Sequence, residues 1–195
     1  MRSSLPDQQH VIPALRDLSQ WSMLPSLSKG AWVFLLGGTV EQVCEPTMLL
    51  QRRGFSVFVH IDMLGGLTTD HEGLRFLQEY AGPDGIISTH RQTLIQAKKL
   101  GFSTVQRIFL LDSKALTTGI SQVQAVNPTA VEVLPGILPD YIRSVALQVS
   151  CPVIAGGLVT DMQEVRLSIE AGAKAISTSS LSLVDTAFSK KGGMP

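Results

Sequence analysis

Short apolar runs rich in β-branched residues recur along the chain, and a stretch with apolar residues at helical spacing follows each one. The runs end near Leu15, Leu36, Ile61, Ser88, Leu111, Leu134, Ala155 and Ser177, at intervals of 21 to 27 residues. That length holds one strand, a helix of about three turns and two short loops, the βα unit of a parallel sheet. Between Pro139 and Val149, the residues Ile142, Val145, Ala146 and Val149 form the i, i+3, i+4, i+7 stripe of a helix buried on one face. Pro139 suits the first helical position, where its missing N–H costs nothing. Further on, Thr160 and Gln163 read as a capping box, Met162, Val165 and Ile169 as an inward face, and Gly172 as a C-terminal stop. Leu116, Ile120 and Val123 form another stripe after Asp112, while Gly54, Gly82 and Gly101 fall where helices should end.

Eight such units without a long crossover predict a compact (β/α)₈ barrel. At 195 residues the chain sits at the lower limit for that fold, so the last helix is expected to be shortened. A doubly wound open sheet uses the same units and stays as the rival. A leucine-rich solenoid shares the period, but no L-x-x-L-x-L frame recurs. The least regular strand signal is the first, where Pro13 interrupts Val11-Ile12-Pro13-Ala14. Residues 1–195 read as one domain, ordered over about 10–188, with 1–9 and 189–195 expected to be flexible.

Composition narrows the picture. Aromatic residues make up 6% of the chain against 44% hydrophobic, so the core must be aliphatic. Sixteen basic residues balance sixteen acidic ones, which removes any global field for nucleic acid and leaves only local patches. The pairs Arg52-Arg53, Lys98-Lys99 and Lys190-Lys191 are short and read as solvated faces or tail. Cys44 and Cys151 form no CxxC pair and sit among apolar residues, as small buried groups in a reducing compartment. Met1 to Gln9 does not read as a signal peptide, and no run approaches the ~18 apolar residues of a membrane span. A cytoplasmic protein without a membrane partner is expected.

In a parallel barrel, chemistry gathers at the C-terminal strand ends, and phosphate often sits at the loops after the last two strands. Strand seven ends in Gly156-Gly157 and strand eight in Ser177-Thr178-Ser179-Ser180. Paired glycines let backbone N–H groups approach an anion, and hydroxyls before a helical turn add donors. Gly156, Gly157, Ser177, Thr178 and Ser179 are therefore the candidate phosphate cradle, although a Gly-Gly pair alone also describes a plain turn. His60 and Asp62 alternate at the end of strand three and face one way. Glu132, inside Ala130-Val131-Glu132-Val133-Leu134, is cheaper to place in the lumen than against packed helices. Arg107 lies on the neighbouring strand and Lys114 follows that strand's end. The plainer readings stand beside these: Asp112 as a helix cap, His60 as a core histidine, Arg107 and Glu132 as a structural pair. His60, Asp62 and Glu132 are metal-ligand types, but without an HxH or dense carboxylate cluster neither a metal nor a cofactor is expected. No nucleophile–base motif, Walker loop or GxGxxG is present.

Several segments, in order and spacing, resemble the glycerol uptake operon antiterminator regulatory protein family. They are Val59-His60-Ile61-Asp62-Met63-Leu64-Gly65-Gly66-Leu67, Gly85-Ile86-Ile87-Ser88-Thr89 and Gln106-Arg107-Ile108-Phe109-Leu110-Leu111-Asp112-Ser113. Val131-Glu132-Val133-Leu134-Pro135-Gly136, Pro152-Val153-Ile154-Ala155-Gly156-Gly157-Leu158 and Ala173-Lys174-Ala175-Ile176-Ser177-Thr178-Ser179 complete the set. The resemblance implies a small barrel that senses glycerol 3-phosphate and acts on leader mRNA, preventing premature termination of glycerol-utilisation genes. It implies phosphate held around Gly156-Gly157 and Ser177-Thr178-Ser179. The chain departs from the family pattern at His90, where Lys is usual, and at Leu183-Val184, where Leu-Trp is usual. The alternative function is an enzyme on a small sugar or polyol phosphate, with Asp62 or Glu132 as general base and Lys114 as electrostatic partner.

Overall fold

The structure, a computed structural model, describes residues 4–26 and 28–189. Eight parallel strands close into a barrel in chain order. They are β1 (Val11–Leu15), β2 (Trp32–Leu35), β3 (Ser56–His60), β4 (Gly85–Ser88), β5 (Ser103–Phe109), β6 (Ala130–Leu134), β7 (Val153–Gly156) and β8 (Ala175–Thr178). The closing contact pairs Val11, Ile12 and Pro13 of β1 with Ile176, Ser177 and Thr178 of β8, which removes the open edges of the rival sheet. Pro13 is thus accommodated inside a paired strand.

Among the described residues, seven α-helices form the outer ring: α1 (Cys44–Arg52), α2 (His71–Tyr80), α3 (Arg91–Lys99), α4 (Ser113–Val126), α5 (Pro139–Ala146), α6 (Met162–Glu170) and α7 (Leu181–Ser189). The economy in length falls at the beginning of the barrel. α7 has nine residues, as many as α1, α3 and α6, whereas β1 is followed only by a six-residue 3₁₀ helix, Leu18–Met23. Asp17 caps that turn by accepting from Ser19 N, and Pro25 follows too soon for an α-helix to propagate.

The caps mostly follow the sequence. Asp112 accepts from Ala115 N at 2.6 Å, Pro139 opens α5, and Gly54, Gly82, Gly101 and Gly172 take positive φ after their helices. The cap of α6 is one residue later than expected. Asp161 accepts from Gln163 N and Glu164 N, and the Glu164 carboxylate reaches back to Thr160 N at 2.6 Å. A carboxylate outcompetes the Thr160 hydroxyl for the helix's free N–H groups.

Alternation along the strands sorts the core into layers. Val33 and Leu35 of β2, Val57 and Val59 of β3, and Val131 and Val133 of β6 face the helices. Ile12, Ala14, Trp32, Phe34, Phe58, Ile87, Val105, Ala130, Ile154 and Ala175 fill the lumen. Three of the scarce aromatic residues are concentrated there, with the Trp32 and Phe58 ring centroids 4.1 Å apart. Gly85 makes this possible, since a Cβ on it would lie 2.2 Å from the Phe58 ring. At the base, Gln9 donates from Nε2 to the Trp32 carbonyl and accepts from Trp32 N, and Trp32 Nε1 donates to Ser4 O. Ser4 and Gln9, in the segment expected to be flexible, are therefore tied to the barrel floor. Of the expected tail, Ser189 ends α7, and 190–195, like 1–3, lie outside the described residues.

Candidate anion site at the barrel mouth

Arg107 and Glu132 are register partners on β5 and β6, with exposures of 7% and 1%, and their Nε and Oε2 lie 2.6 Å apart. The second carboxylate oxygen accepts from Ser177 Oγ at 2.5 Å. Room for this network comes from Gly156, the register partner of Ser177. A Cβ there would sit 2.6 Å from both Glu132 Oε1 and Ser177 Oγ. A buried ion pair of this kind recovers its desolvation cost only when the remaining oxygens are also bonded, as they are here.

Above this floor lies a cavity of about 300 Å³. Residues 157–160 after β7 form one wall and residues 177–180 at the end of β8 another, with Arg16 beyond the end of the neighbouring β1 also lining it. Gly157 and Leu158 have φ of 74° and 63°, two successive left-handed residues. For leucine that conformation costs roughly 1–2 kcal/mol, and such strain concentrates at ligand-binding loops. On the other wall, Ser180 N donates to Thr178 Oγ1 at 3.1 Å, and Ser180 Oγ accepts from Leu183 N at 3.3 Å. The start of α7, with its partial positive charge, is thereby held beside the cavity. Only one of Arg107's guanidinium nitrogens is used by Glu132, and its terminal pair donates no hydrogen bond among the described residues.

The five residues of the expected cradle do not act alike. Gly157, Ser177, Thr178 and Ser179 line the cavity, as do Arg107 and Glu132, whereas Gly156 serves beneath it as the space that admits the Glu132 carboxylate. His60, Asp62 and Lys114 do not line it. His60 projects into the lumen with an exposure of 3%, and neither ring nitrogen has a hydrogen-bond partner. Burial, and then the Arg107 charge, push its pKa down to about 4. Asp62 does not share its direction, because the chain leaves β3 at His60 and turns into a 3₁₀ helix, Ile61–Met63. Its carboxylate instead accepts from Ser88 Oγ at 2.6 Å, Thr89 N at 2.7 Å and Thr89 Oγ1 at 2.8 Å. Burial pushes that carboxyl up, and the three hydrogen bonds outweigh it and hold it below the usual range. Lys114 is exposed in the first turn of α4.

Arg16, Thr160 and Ser180 were not among the residues expected from sequence. Arg16 continues the lumen alternation Ile12, Ala14, which is the signal that would have found it. It also borders a neighbouring recess of about 450 Å³ whose lining includes Asp17, Glu41 and Glu45. Those carboxylates disfavour an anion there, so the mouth cavity is the better anion site. Both cysteines are free, and burial pushes the Cys151 thiol up to about 11. Among the described residues, no three His, Cys, Asp or Glu side chains are placed to hold a metal, and no helix is long and apolar enough to cross a membrane. Of the positions departing from the family pattern, His90 is exposed at the start of α3, and Leu183 and Val184 are buried residues of α7.

Fold and mouth together define a small (β/α)₈ barrel with a polar cavity at the ends of β7 and β8. Residues 11–184 match the family described as glycerol-3-phosphate responsive antiterminator, and the chain belongs to that family. A glycerol uptake operon antiterminator regulatory protein from Listeria monocytogenes is 33% identical, with a TM-score of 0.81 over 88% of this chain and 92% of its own. A glycerol uptake operon antiterminator-related protein from Thermotoga maritima is 36% identical, with a TM-score of 0.79 over 91% of this chain and 98% of its own. The uncharacterized protein YgcP of Escherichia coli (strain K12) is 32% identical over 171 residues, covering 88% of this chain and 89% of its own.

Proposed function

We propose that this protein binds glycerol 3-phosphate in the mouth cavity and, in the cytoplasm, acts on leader mRNA as a transcription antiterminator of glycerol-utilisation genes. The observation that carries the ligand is the cavity itself. Gly157 and Ser179 face one space, the start of α7 borders it, and Arg16 and Arg107 bring positive charge to it. The family supports the regulatory role over the enzymatic one, and so does the state of the carboxylates. Glu132 is engaged by Arg107 and Ser177, Asp62 by Ser88 and Thr89, and Lys114 does not line the cavity, so the carboxylates named for the enzymatic reading are already held by the protein.

The ligand is tested by thermal denaturation with glycerol 3-phosphate, glycerol and inorganic phosphate. At 100 times its dissociation constant, a ligand adds about 2.7 kcal/mol, a shift on the order of 5–10 °C for a domain of this size. No shift with millimolar glycerol 3-phosphate would remove the ligand. For RNA, binding to a leader transcript is measured across salt with and without ligand. Linkage requires the ligand to favour the RNA-competent state, so the two affinities should differ. No affinity in either condition would remove the RNA role.

A further inference from the structure

Five apolar side chains are open to water along one side of the barrel rim. Phe109 ends β5 and Leu111 follows it, Ile137 and Tyr141 come after β6, and Leu158 comes after β7. The three connections are tied side by side, Leu110 N donating to Leu134 O and Gly136 N to Gly157 O. Leu111 is 85% exposed, Leu158 67%, and the other three between 38% and 47%. Leu158 is unfavourable twice over, since its backbone is left-handed at φ 63° and its side chain stands in water. Glycine or asparagine would suit that turn without either cost.

We propose that this stretch of rim is a docking surface for a second copy of the chain, with Leu111 and Leu158 as its apolar anchors. The pairing is two-fold, so that each rim covers the same residues of the other. Leu158 also lines the anion cavity, which places the interface at the edge of the mouth. The inference goes beyond the ligand and RNA readings and does not depend on either.

Area and charge both point to a second copy. The five side chains leave roughly 500–600 Å² of largely apolar surface in water, the upper end for the largest patch on a monomer. A standard interface takes about 800 Å² from each partner, and in homodimers about 65% of it is apolar. The rim therefore supplies about the apolar share that a stable dimer needs. Around it, at the starts of α4 and α5, stand Asp112, Lys114, Asp140 and Arg143, all exposed and two of each sign. Arg143 and Asp140 already lie 3.9 Å apart. Such a border attracts no phosphate backbone, which needs an excess of cations. It can face its own copy without repulsion, and a chain of net charge zero opposes self-association little.

The test is sedimentation velocity of the whole chain, without ligand or RNA, from about 1 to 200 µM. Wild type is expected to pass from monomer to dimer in that range or to be dimeric throughout. Leu111→Asp, at a side chain the single chain scarcely buries, should weaken pairing at least about tenfold. Leu158→Asn should do the same while suiting the left-handed turn. Phe76→Ser serves as control, because Phe76 stacks on Tyr80 on the outer face of α2, and it should leave the dimer intact. A monomer at every concentration would overturn the proposal. So would a dimer unmoved by both rim substitutions, or one that Phe76→Ser breaks equally. A monomeric wild type whose leader-RNA affinity falls with Leu111→Asp would give the rim to RNA instead. If a rim variant does not fold, hydrogen exchange of wild type decides: amides of 109–111, 137–141 and 157–159 should slow as concentration rises, and exchange independent of concentration overturns the inference.

Discussion

Replacing Arg107 by Met while leaving Glu132 in place isolates the energetics of the barrel floor. The methionine fills most of the arginine's volume, so little of the effect comes from a cavity. What remains is a carboxylate with an exposure of 1%, bonded only to Ser177 Oγ. Breaking one side of a buried pair costs about 3–5 kcal/mol, because the partner's charge stays desolvated. That is a large share of the 5–15 kcal/mol by which a domain is stable. The double variant Arg107→Met/Glu132→Leu removes the stranded charge as well. Ser177 then loses its acceptor, at about 1 kcal/mol, and the double variant should lie within about 1–2 kcal/mol of wild type. The two changes should therefore be strongly non-additive, the double variant costing less than Arg107→Met alone, as for residues in direct contact. Urea denaturation at neutral pH reads this as shifts of the midpoint at constant slope. If the single variant costs less than about 1 kcal/mol, or the double costs as much as the single, the account of Glu132 as a charge held by Arg107 is wrong.

Three further outcomes follow from the geometry. Gly156→Ala places a Cβ 2.6 Å from Glu132 Oε1 and Ser177 Oγ, so a loss of about 1–3 kcal/mol in thermal melts is expected, and an unchanged melting temperature would contradict the tight fit. His60, with its pKa lowered to about 4, is protonated below about 6.5 in the unfolded chain but stays neutral in the fold, so protons favour unfolding between those values. Stability should fall by about 3 kcal/mol from pH 7 to pH 4, with Arg107 and His90 adding to the penalty and Asp62 opposing it; a His60→Leu variant with the same pH slope would assign the loss elsewhere. Leu158→Gly should leave stability within about 0.5 kcal/mol, since relief of the left-handed backbone offsets glycine's entropy, whereas Leu158→Val should cost about 1 kcal/mol or more; the reverse order in urea midpoints would dismiss the strain.

Much of the barrel is legible in the chain. Each strand end falls within two residues of its apolar run, because parallel strands buried on both faces leave continuous β-branched stretches. Glu132 is legible for the opposite reason, as a charge with nowhere cheap to go but the lumen. Local geometry explains the failures. Asp62 departs because strand alternation ends one residue too early, at His60, and a 3₁₀ turn redirects it. Thr160 and Asp161 are both good caps, and only the reach of Glu164 settles which one is used. Lys114 lies in the first turn of α4 after the Asp112 cap, where the helix has already turned its exposed face outward. The missing first helix leaves its trace in Pro25 and a short connection, which a regular period obscures.

Closing the barrel through β1 and β8 joins an early segment of the chain to a late one, and Arg16 and Ser179 line one cavity beside that seam. An anion gripped from both sides would work as a staple between the first and last strands, in place of any covalent link. Its presence would then be felt as tightness of the whole ring rather than as movement of one loop.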